Sequence, residues 1–314
     1  MTSPLAALTG GTGFLGRHAV AALLAAGWRV RLLARRAPAH PQLAGLPFET
    51  VPGDLADPDA LARLVRGADA VVHAAGLVKA RGAAEFMAAN RDGSGRLGAA
   101  VAAHAPAARC VLVSSQAARE PSLSAYAASK RAGEAAAVAA LGGAPWVVLR
   151  PCVIYGPWDV DGLSLLRLAR LPLTPVPTAP APRLGMIHVA DAAAAIAALC
   201  REGPAGATFE ITDVRTEGHP WRDILRLTGA ALGRAPRFVP VPDALLLAAG
   251  AANDALAALG LPRTIFGHGK AREILHRDWG STPGAQPPRA LWSPRIELAA
   301  GLRETVAWWR AGAG

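Results

Sequence analysis

LAALTGGTGFLG, residues 5–16, is a short apolar run that breaks into Gly10, Gly13 and Gly16 and opens onto an apolar, alanine-rich stretch of helical length. Strand, glycine turn and helix N-terminus in that order form a cradle for a nucleotide pyrophosphate. Missing side chains let the backbone approach the phosphates, and unpaired N–H groups of the first helical turn point at the charge. Thr12, Phe14 and Leu15 complete the cradle between the glycines. A tight structural turn in a glycine-rich chain has the same residues; the strand in front and the helix behind favour the dinucleotide.

Downstream, the first half alternates short apolar runs with helix-length segments. Strands are expected at 5–9, 29–34, about 47–51, 69–73, 109–114 and 145–150, and helices at about 14–26, 58–66, 84–104 and 123–141. This rhythm predicts an α/β fold: a doubly wound parallel Rossmann-type sheet with helices on both faces. Ligands of such a sheet collect outside the C-terminal strand ends. Residues 1–151 are read as the NAD(P)-binding domain. Residues 152–314 are a mixed region, mainly a smaller, discontinuous substrate lobe, with segments around 183–212 returning to the first domain. Within it, LPLTPVPTAPAP (171–182) reads as a proline-rich connector that no interior helix tolerates. Residues 184–200 read as a short strand running into a helix, 207–212 as another strand, and the rest to about 310 as helical between prolines.

Composition narrows the function. The chain has 314 residues, 52% of them hydrophobic, and a formal charge of +10. The charge is spread evenly, with 16 basic and 10 acidic residues in 1–160 against 17 and 13 in 161–314. Without a dense basic block or an aromatic-interleaved stripe, nucleic acid is not an expected partner. Cys110, Cys152 and Cys200 are far apart and odd in number, which fits a reduced, cytoplasmic setting. No export signal precedes the glycine turn. Residues 241–262 are apolar but interrupted by Asp243, Asn253 and Asp254, so a buried or surface-lying helix is expected there rather than a membrane span. Peripheral membrane contact stays open. The eight histidines are scattered without metal-ligand spacing, and no metal is expected.

The second strand runs into Arg35 and Arg36, where a site for unphosphorylated NAD usually offers a carboxylate. Guanidinium groups suit a 2′-phosphate, so NADP is the expected cofactor, with NAD possible. Asp54, followed by Leu55, ends the third strand. It is placed to accept from the adenine amine or to cap the next helix. His73, Ala74, Ala75 and Gly76 bring small residues past the cofactor at the end of the fourth strand, with His73 read as structural.

Tyr126 and Lys130, in YAASK, share one helix face at i,i+4. A phenol with a reference pKa of about 10 is a poor base at neutral pH, and a neighbouring ammonium brings it into range. Tyr126 is then placed to exchange a proton with a substrate oxygen while hydride moves at carbon. Ser115, at the end of the fifth strand, is placed to polarise that oxygen; Ser114 is the adjacent alternative. An ordinary helix with an incidental Tyr and Lys is the bland reading.

TGGTGFLG, GDL, HAAG, VSS, YAASK, RPCVIYGP and IHVAD, in this order over residues 5–191, resemble the short-chain dehydrogenase/reductase superfamily, in particular its extended, NAD-dependent epimerase/dehydratase-like branch. The resemblance implies Ser115, Tyr126 and Lys130 as catalytic triad, Tyr126 and Lys130 also touching the cofactor. It implies Pro151 and Val153 beside the nicotinamide, Asn90 as a structural, water-organising residue, and His188 with Asp191 as a largely structural pair. Members are often dimers, which makes a homodimer an admissible state.

Two departures bear on substrate. Gln116 and Ala117 stand where the sugar-nucleotide dehydratases carry an Asp-Glu pair, which argues against water elimination. Tyr126 follows Ser115 by only 11 positions, where many sugar-nucleotide epimerases have about 25 residues. Arg183 is weak evidence for a substrate phosphate. The leading expectation is an NADP-dependent oxidoreductase interconverting a secondary alcohol and a carbonyl on a small or hydrophobic substrate. The alternatives are a nucleotide-sugar epimerase with retained NAD and a non-catalytic cofactor-binding protein.

Overall fold

A computed structural model describes residues 3–178, 182–259 and 266–313. Residues 179–181 of the proline-rich connector and 260–262 of the apolar segment therefore lie outside the described residues.

The strands are β1 (Leu5–Thr9), β2 (Arg29–Ala34), β3 (Phe48–Pro52), β4 (Ala70–His73), β5 (Arg109–Val113), β6 (Trp146–Pro151), β7 (Val153–Tyr155), β8 (Thr174–Pro177), β9 (Arg183–Leu184), β10 (Met186–His188), β11 (Ala207–Ile211), β12 (His219–Pro220), β13 (Phe238–Val241) and β14 (Asp278–Trp279). The helices are α1 (Phe14–Ala25), α2 (Pro58–Val65), α3 (Ala83–Phe86), α4 (Gly93–His104), α5 (Ala125–Ala140), α6 (Leu163–Ala169), α7 (Val189–Arg201), α8 (Trp221–Ala231), α9 (Asp243–Ala258), α10 (His268–Leu275) and α11 (Leu298–Trp308).

Seven strands form one parallel sheet in the order β11-β6-β5-β4-β1-β2-β3. The order reverses between β1 and β4, so the crevice beyond Thr9 and His73 is the topological switch point where such sheets bind ligands. The central strands read as nearly continuous apolar runs because both faces are covered. Leu8, Val72 and Val111 pack with α1 and α7 on one side, and Ala7, Val71 and Cys110 pack with α2, α4 and α5 on the other. Helices α4 and α5 touch closely because small residues face each other. A Cβ on Gly133 would lie 2.4 Å from the Asn90 carbonyl oxygen, and one on Gly98 2.7 Å from that of Ala137.

The helix expected at 84–104 is interrupted. Residues Met87–Asp92 form a π-helical turn between α3 and α4, centred on buried Asn90. Such one-turn widenings gather at functional sites. The proline-rich connector also differs from a bare linker: Thr174–Pro177 is a strand pairing in parallel with Phe238–Val241. Edge pairing tolerates Pro175 and Pro177 because only one side of each strand is used.

Candidate active site

The three glycines of the first loop do different work. Gly10 sits at φ +75°, and a Cβ on it would meet the Ala74 carbonyl carbon and Ala75 nitrogen at 2.5 Å, so it closes β1 onto the end of β4. On Gly16 a Cβ would lie 2.0 Å from the Gly10 oxygen, so this glycine lets α1 pack against the loop. Gly13 is exposed, and a Cβ there would touch only the Gly10 oxygen, at 3.3 Å. Its bare face therefore opens outward at the N-terminus of α1, which no side chain caps. A pyrophosphate fits this cradle: uncapped N–H groups with a missing side chain in front of them. Arg17 steadies it, donating from Nη1 to the Thr12 carbonyl (2.8 Å) and from Nε to Gln42 (2.8 Å). Thr12 is exposed, while Phe14 and Leu15 are half-buried.

Arg35 and Arg36 follow β2 directly, exposed, with no hydrogen bond or ion pair among the described residues. Asp54 does not cap α2. Asp57 does so, accepting from the Ala60 N–H at 3.0 Å, while Asp54 makes a local turn with the Ala56 N–H at 2.8 Å and stays exposed. Leu55 packs over Gly93.

His73 is wired into the interior. Its Nδ1 lies 2.7 Å from the Thr9 hydroxyl and its Nε2 2.8 Å from the Ser94 hydroxyl. Ser94 donates to the Asn90 carbonyl, so it accepts from Nε2–H, and Thr9 donates to Nδ1. This assigns a neutral Nε2–H imidazole. Burial, helped by the charge of Lys130, pushes its pKa down to about 3. Asn90 spends both amide hydrogens on the Leu77 carbonyl (3.0 Å) and the Ser129 hydroxyl (2.9 Å), and its oxygen accepts from the Leu77 N–H (2.7 Å). It locks the chain after β4 to α5, with Ala74 and Ala75 half-buried and Gly76 exposed in between.

On α5, Ser124 caps the helix by accepting from the Ala127 N–H at 3.0 Å and donates its hydroxyl to the Glu273 carboxylate of α10. Tyr126 lies in the first turn, half-buried against Phe86 with ring centroids 5.9 Å apart. Loss of hydration raises its phenol pKa, a hydrogen bond with Ser115 opposes the rise, and the nearby charge of Glu273 adds to it. Lys130, one turn on, donates from Nζ to the Val113 carbonyl at 3.0 Å. Burial lowers its pKa to about 8, against the attraction of Glu134. Glu134 itself is held by a two-pronged pair with Arg150 at 2.8 and 2.7 Å.

Ser115 and Ser114 part company here. Ser115 faces Tyr126, whereas the Ser114 hydroxyl is buried behind Lys130 and lines a cavity of about 20 Å3 with His73, Asn90 and Ser94. Pro151 is buried at the end of β6 and Val153 is exposed on β7. His188 caps α7 by accepting from the Ala190 N–H and stacks edge-on against Tyr155, while Asp191 accepts from the backbone of Arg295 and Ile296. Both hold the frame. Arg183 is spent on the carbonyls of Glu217 and Gly218, so it is tied to a turn. Sequence reading missed Glu273 and Ser124. Their partnership spans 149 positions, and no local pattern marks it.

Residues 6–212 match the model of the NAD dependent epimerase/dehydratase family. The chain belongs to that family. It is an extended short-chain dehydrogenase/reductase-like oxidoreductase, and its relatives sharpen the picture. A ceramide reductase of Caulobacter vibrioides (strain NA1000 / CB15N) is 48% identical over 306 residues, 97% of this chain and 94% of the relative. Among solved structures, gox2253 superposes with a TM-score of 0.76 at 22% identity, covering 98% of each chain. The Thermus thermophilus UDP-glucose 4-epimerase, described as a complex with NAD, gives 0.69 at 23%, covering 98% of this chain and 99% of the other. These two likenesses establish the fold.

Proposed function

We propose that this protein is an NADP-dependent reductase that converts a carbonyl on a ceramide-type, long-chain lipid into a secondary alcohol. The observation that carries the reading is Tyr126 beside Ser115 at the C-terminal edge of the sheet, with Lys130 one helical turn on, its Nζ on the Val113 carbonyl and close to Gly76. The substrate class rests on the ceramide reductase that shares nearly the whole chain.

The pyrophosphate is held by residues 10–16 and the α1 N-terminus. Asp54 and Leu55 would flank the adenine, Ala74–Gly76, Pro151 and Val153 would border the nicotinamide end, and Tyr126 and Lys130 would bind its ribose. Arg35 and Arg36 supply unspent positive charge where a 2′-phosphate sits, with no carboxylate to repel it. The bound nicotinamide supplies the hydride.

The chain's own residues handle the oxygen. Ser115 orients the carbonyl oxygen by donating to it. Tyr126 gives that oxygen its proton as negative charge develops there. A raised phenol pKa suits this direction, because the tyrosine enters neutral and ready to donate. Lys130, mostly ammonium at pH 7, stabilises the phenolate left behind and restores the proton. Gln116 and Ala117 follow Ser115, and the Gln116 amide is committed to the Gly280 carbonyl, so no acid–base pair for elimination stands there.

Fluorescence titration with NADPH and NADH, followed by absorbance loss with a long-chain keto-amide lipid, tests the reading. Tighter, exchangeable NADPH and substrate-dependent oxidation are expected. Tightly retained NAD without net turnover overturns it in favour of epimerisation.

A further inference from the structure

Helix α9 (Asp243–Ala258) is apolar on both sides, with Leu246 and Leu247 half-buried against the fold and a second apolar stripe turned to solvent. Leu245, Ala249, Ala252, Leu256 and, at its C-terminal cap, Leu259 fall on one stripe at helical spacing, and all are exposed. The three leucines keep 60%, 47% and 81% of their surface in water. The polar side chains turn the other way. Asp254 accepts from the His268 N–H at 2.8 Å, and Asn253 donates to the Phe266 carbonyl. A surface helix of a globular protein buries its apolar stripe and turns a polar face to solvent. Single exposed leucines are ordinary, but a stripe free of polar side chains along a whole helix marks a binding face.

What covers it follows from length, area and charge. Sixteen residues span about 24 Å, short of the roughly 30 Å hydrocarbon core, so α9 cannot cross a bilayer. A stripe about 24 Å by 10 Å offers some 240 Å2, far below the roughly 800 Å2 per partner of a stable dimer. The surroundings are basic: residues 234–277 hold six Arg or Lys against three acidic residues. Arg234, Arg237, Arg272 and Arg277 are exposed, Lys270 is exposed but paired with the buried Glu273 at 3.0 Å, and Asp243 and Asp254 are half-buried. Two such faces repel each other; an anionic lipid surface attracts both the charge and the leucines.

We propose that α9 lies in the headgroup layer of an anionic membrane and holds the mouth of the active site against it. The physical link to that site is short. A Cβ on Gly250 would meet the Gly267 backbone at 2.9 Å, one on Gly269 would meet the Ser124 Cβ at 2.9 Å, and Glu273 takes the Ser124 hydrogen bond at the start of the Tyr126 helix. The benefit to catalysis rests on the lipid-reductase reading, but the membrane contact does not.

Flotation of the purified full-length protein with vesicles of equal phosphatidylglycerol and phosphatidylcholine, and with pure phosphatidylcholine, tests the contact. Binding to the anionic vesicles, weakened by salt, is expected. L245E/L256E should lower it roughly tenfold or more while leaving NADPH affinity and the melting temperature unchanged. R237E/R272E should lower it while leaving the apolar stripe intact. No flotation with anionic vesicles, or flotation unaffected by L245E/L256E, overturns the proposal. A dimer in light scattering that L245E/L256E dissolves overturns it too, by giving the face to a second copy. Turnover of a short, water-soluble ketone is measured beside flotation. Its absence counts against the reductase reading alone.

Discussion

The Ser124 hydroxyl donates to the Glu273 carboxylate, fastening the first turn of the Tyr126 helix to a helix 149 residues away. The same carboxylate raises the phenol pKa of Tyr126. Removing its charge therefore lowers that pKa, and the proton donor is lost at a lower pH. E273Q should shift the alkaline limb of the reduction rate toward acid, while S124A, which keeps the charge, should cost about 1 kcal/mol of stability as a lost helix cap. pH–rate profiles and denaturant melts of both variants check this. An unmoved limb in E273Q removes Glu273 from the tuning of Tyr126.

Tyr126→Phe keeps the ring against Phe86 and deletes only the hydroxyl. The rate should fall by about 10² to 10⁴, the usual worth of a positioned proton donor, with NADPH affinity within a few-fold of the parent. Ser114→Ala, which empties a hydroxyl that Tyr126 does not meet, should leave the rate nearly unchanged, whereas Ser115→Ala should not. Single-turnover kinetics separate these outcomes. Equal losses at Ser114 and Ser115 would undo the assignment of the facing serine.

The glycines separate folding from binding. Ala at position 16 would put its Cβ 2.0 Å from the Gly10 oxygen, so G16A must push α1 off the loop and should melt at lower temperature even without cofactor. At position 13 the Cβ meets one oxygen at 3.3 Å and otherwise opens to solvent. G13A should therefore fold normally and lose cofactor affinity roughly tenfold or more, because the methyl group stands where phosphate approaches. Calorimetry of the apo variants with an NADPH titration distinguishes them.

Much of this was legible in the chain because a parallel sheet covered on both faces writes itself as short apolar runs between helices. The expected strands at 5–9 and 29–34 coincide with β1 and β2, and the others lie within a residue or so. Interruptions of that code were hidden. The π-helical turn at Asn90 adds a residue to a helix without changing its composition, so 84–104 reads as one element. Pro175 and Pro177 disguise a strand that survives by pairing on one side. Asp54 is a credible cap on paper, and only geometry gives the cap to Asp57 instead. The i,i+4 pairing of Tyr126 and Lys130 was readable from spacing and Ser115 was settled over Ser114 only through the family resemblance, whereas Glu273 approaches Tyr126 through tertiary contact alone.

Arg35 and Arg36 make no hydrogen bond or ion pair among the described residues, so their charge is unspent. R35A/R36A should weaken NADPH roughly tenfold or more and NADH little, since only NADPH carries the 2′-phosphate. The ratio of the two dissociation constants is the test, insensitive to general damage. Equal weakening of both would assign the arginines to the surface and return the cofactor preference to NAD.

His73 predicts the acid limit of the fold. Its imidazole is neutral, with both ring nitrogens in hydrogen bonds, and burial holds its pKa at about 3, below the ordinary 6.5. Between those two values the unfolded chain binds a proton that the folded chain refuses. Stability therefore rises with pH across that window, and is lost on acidification, by up to about 1.4 kcal/mol per unit from this one group. His18, lowered to about 4 by burial, tilts the slope the same way. His73→Asn keeps one polar group against Thr9 and cannot titrate. Urea melts at pH 7.0 and 5.0 should show the parent losing clearly more stability than this variant, whatever the variant's starting value. Equal losses would mean that His73 is already protonated in the folded protein, which would reverse the Nε2–H assignment and break the Thr9–His73–Ser94 chain.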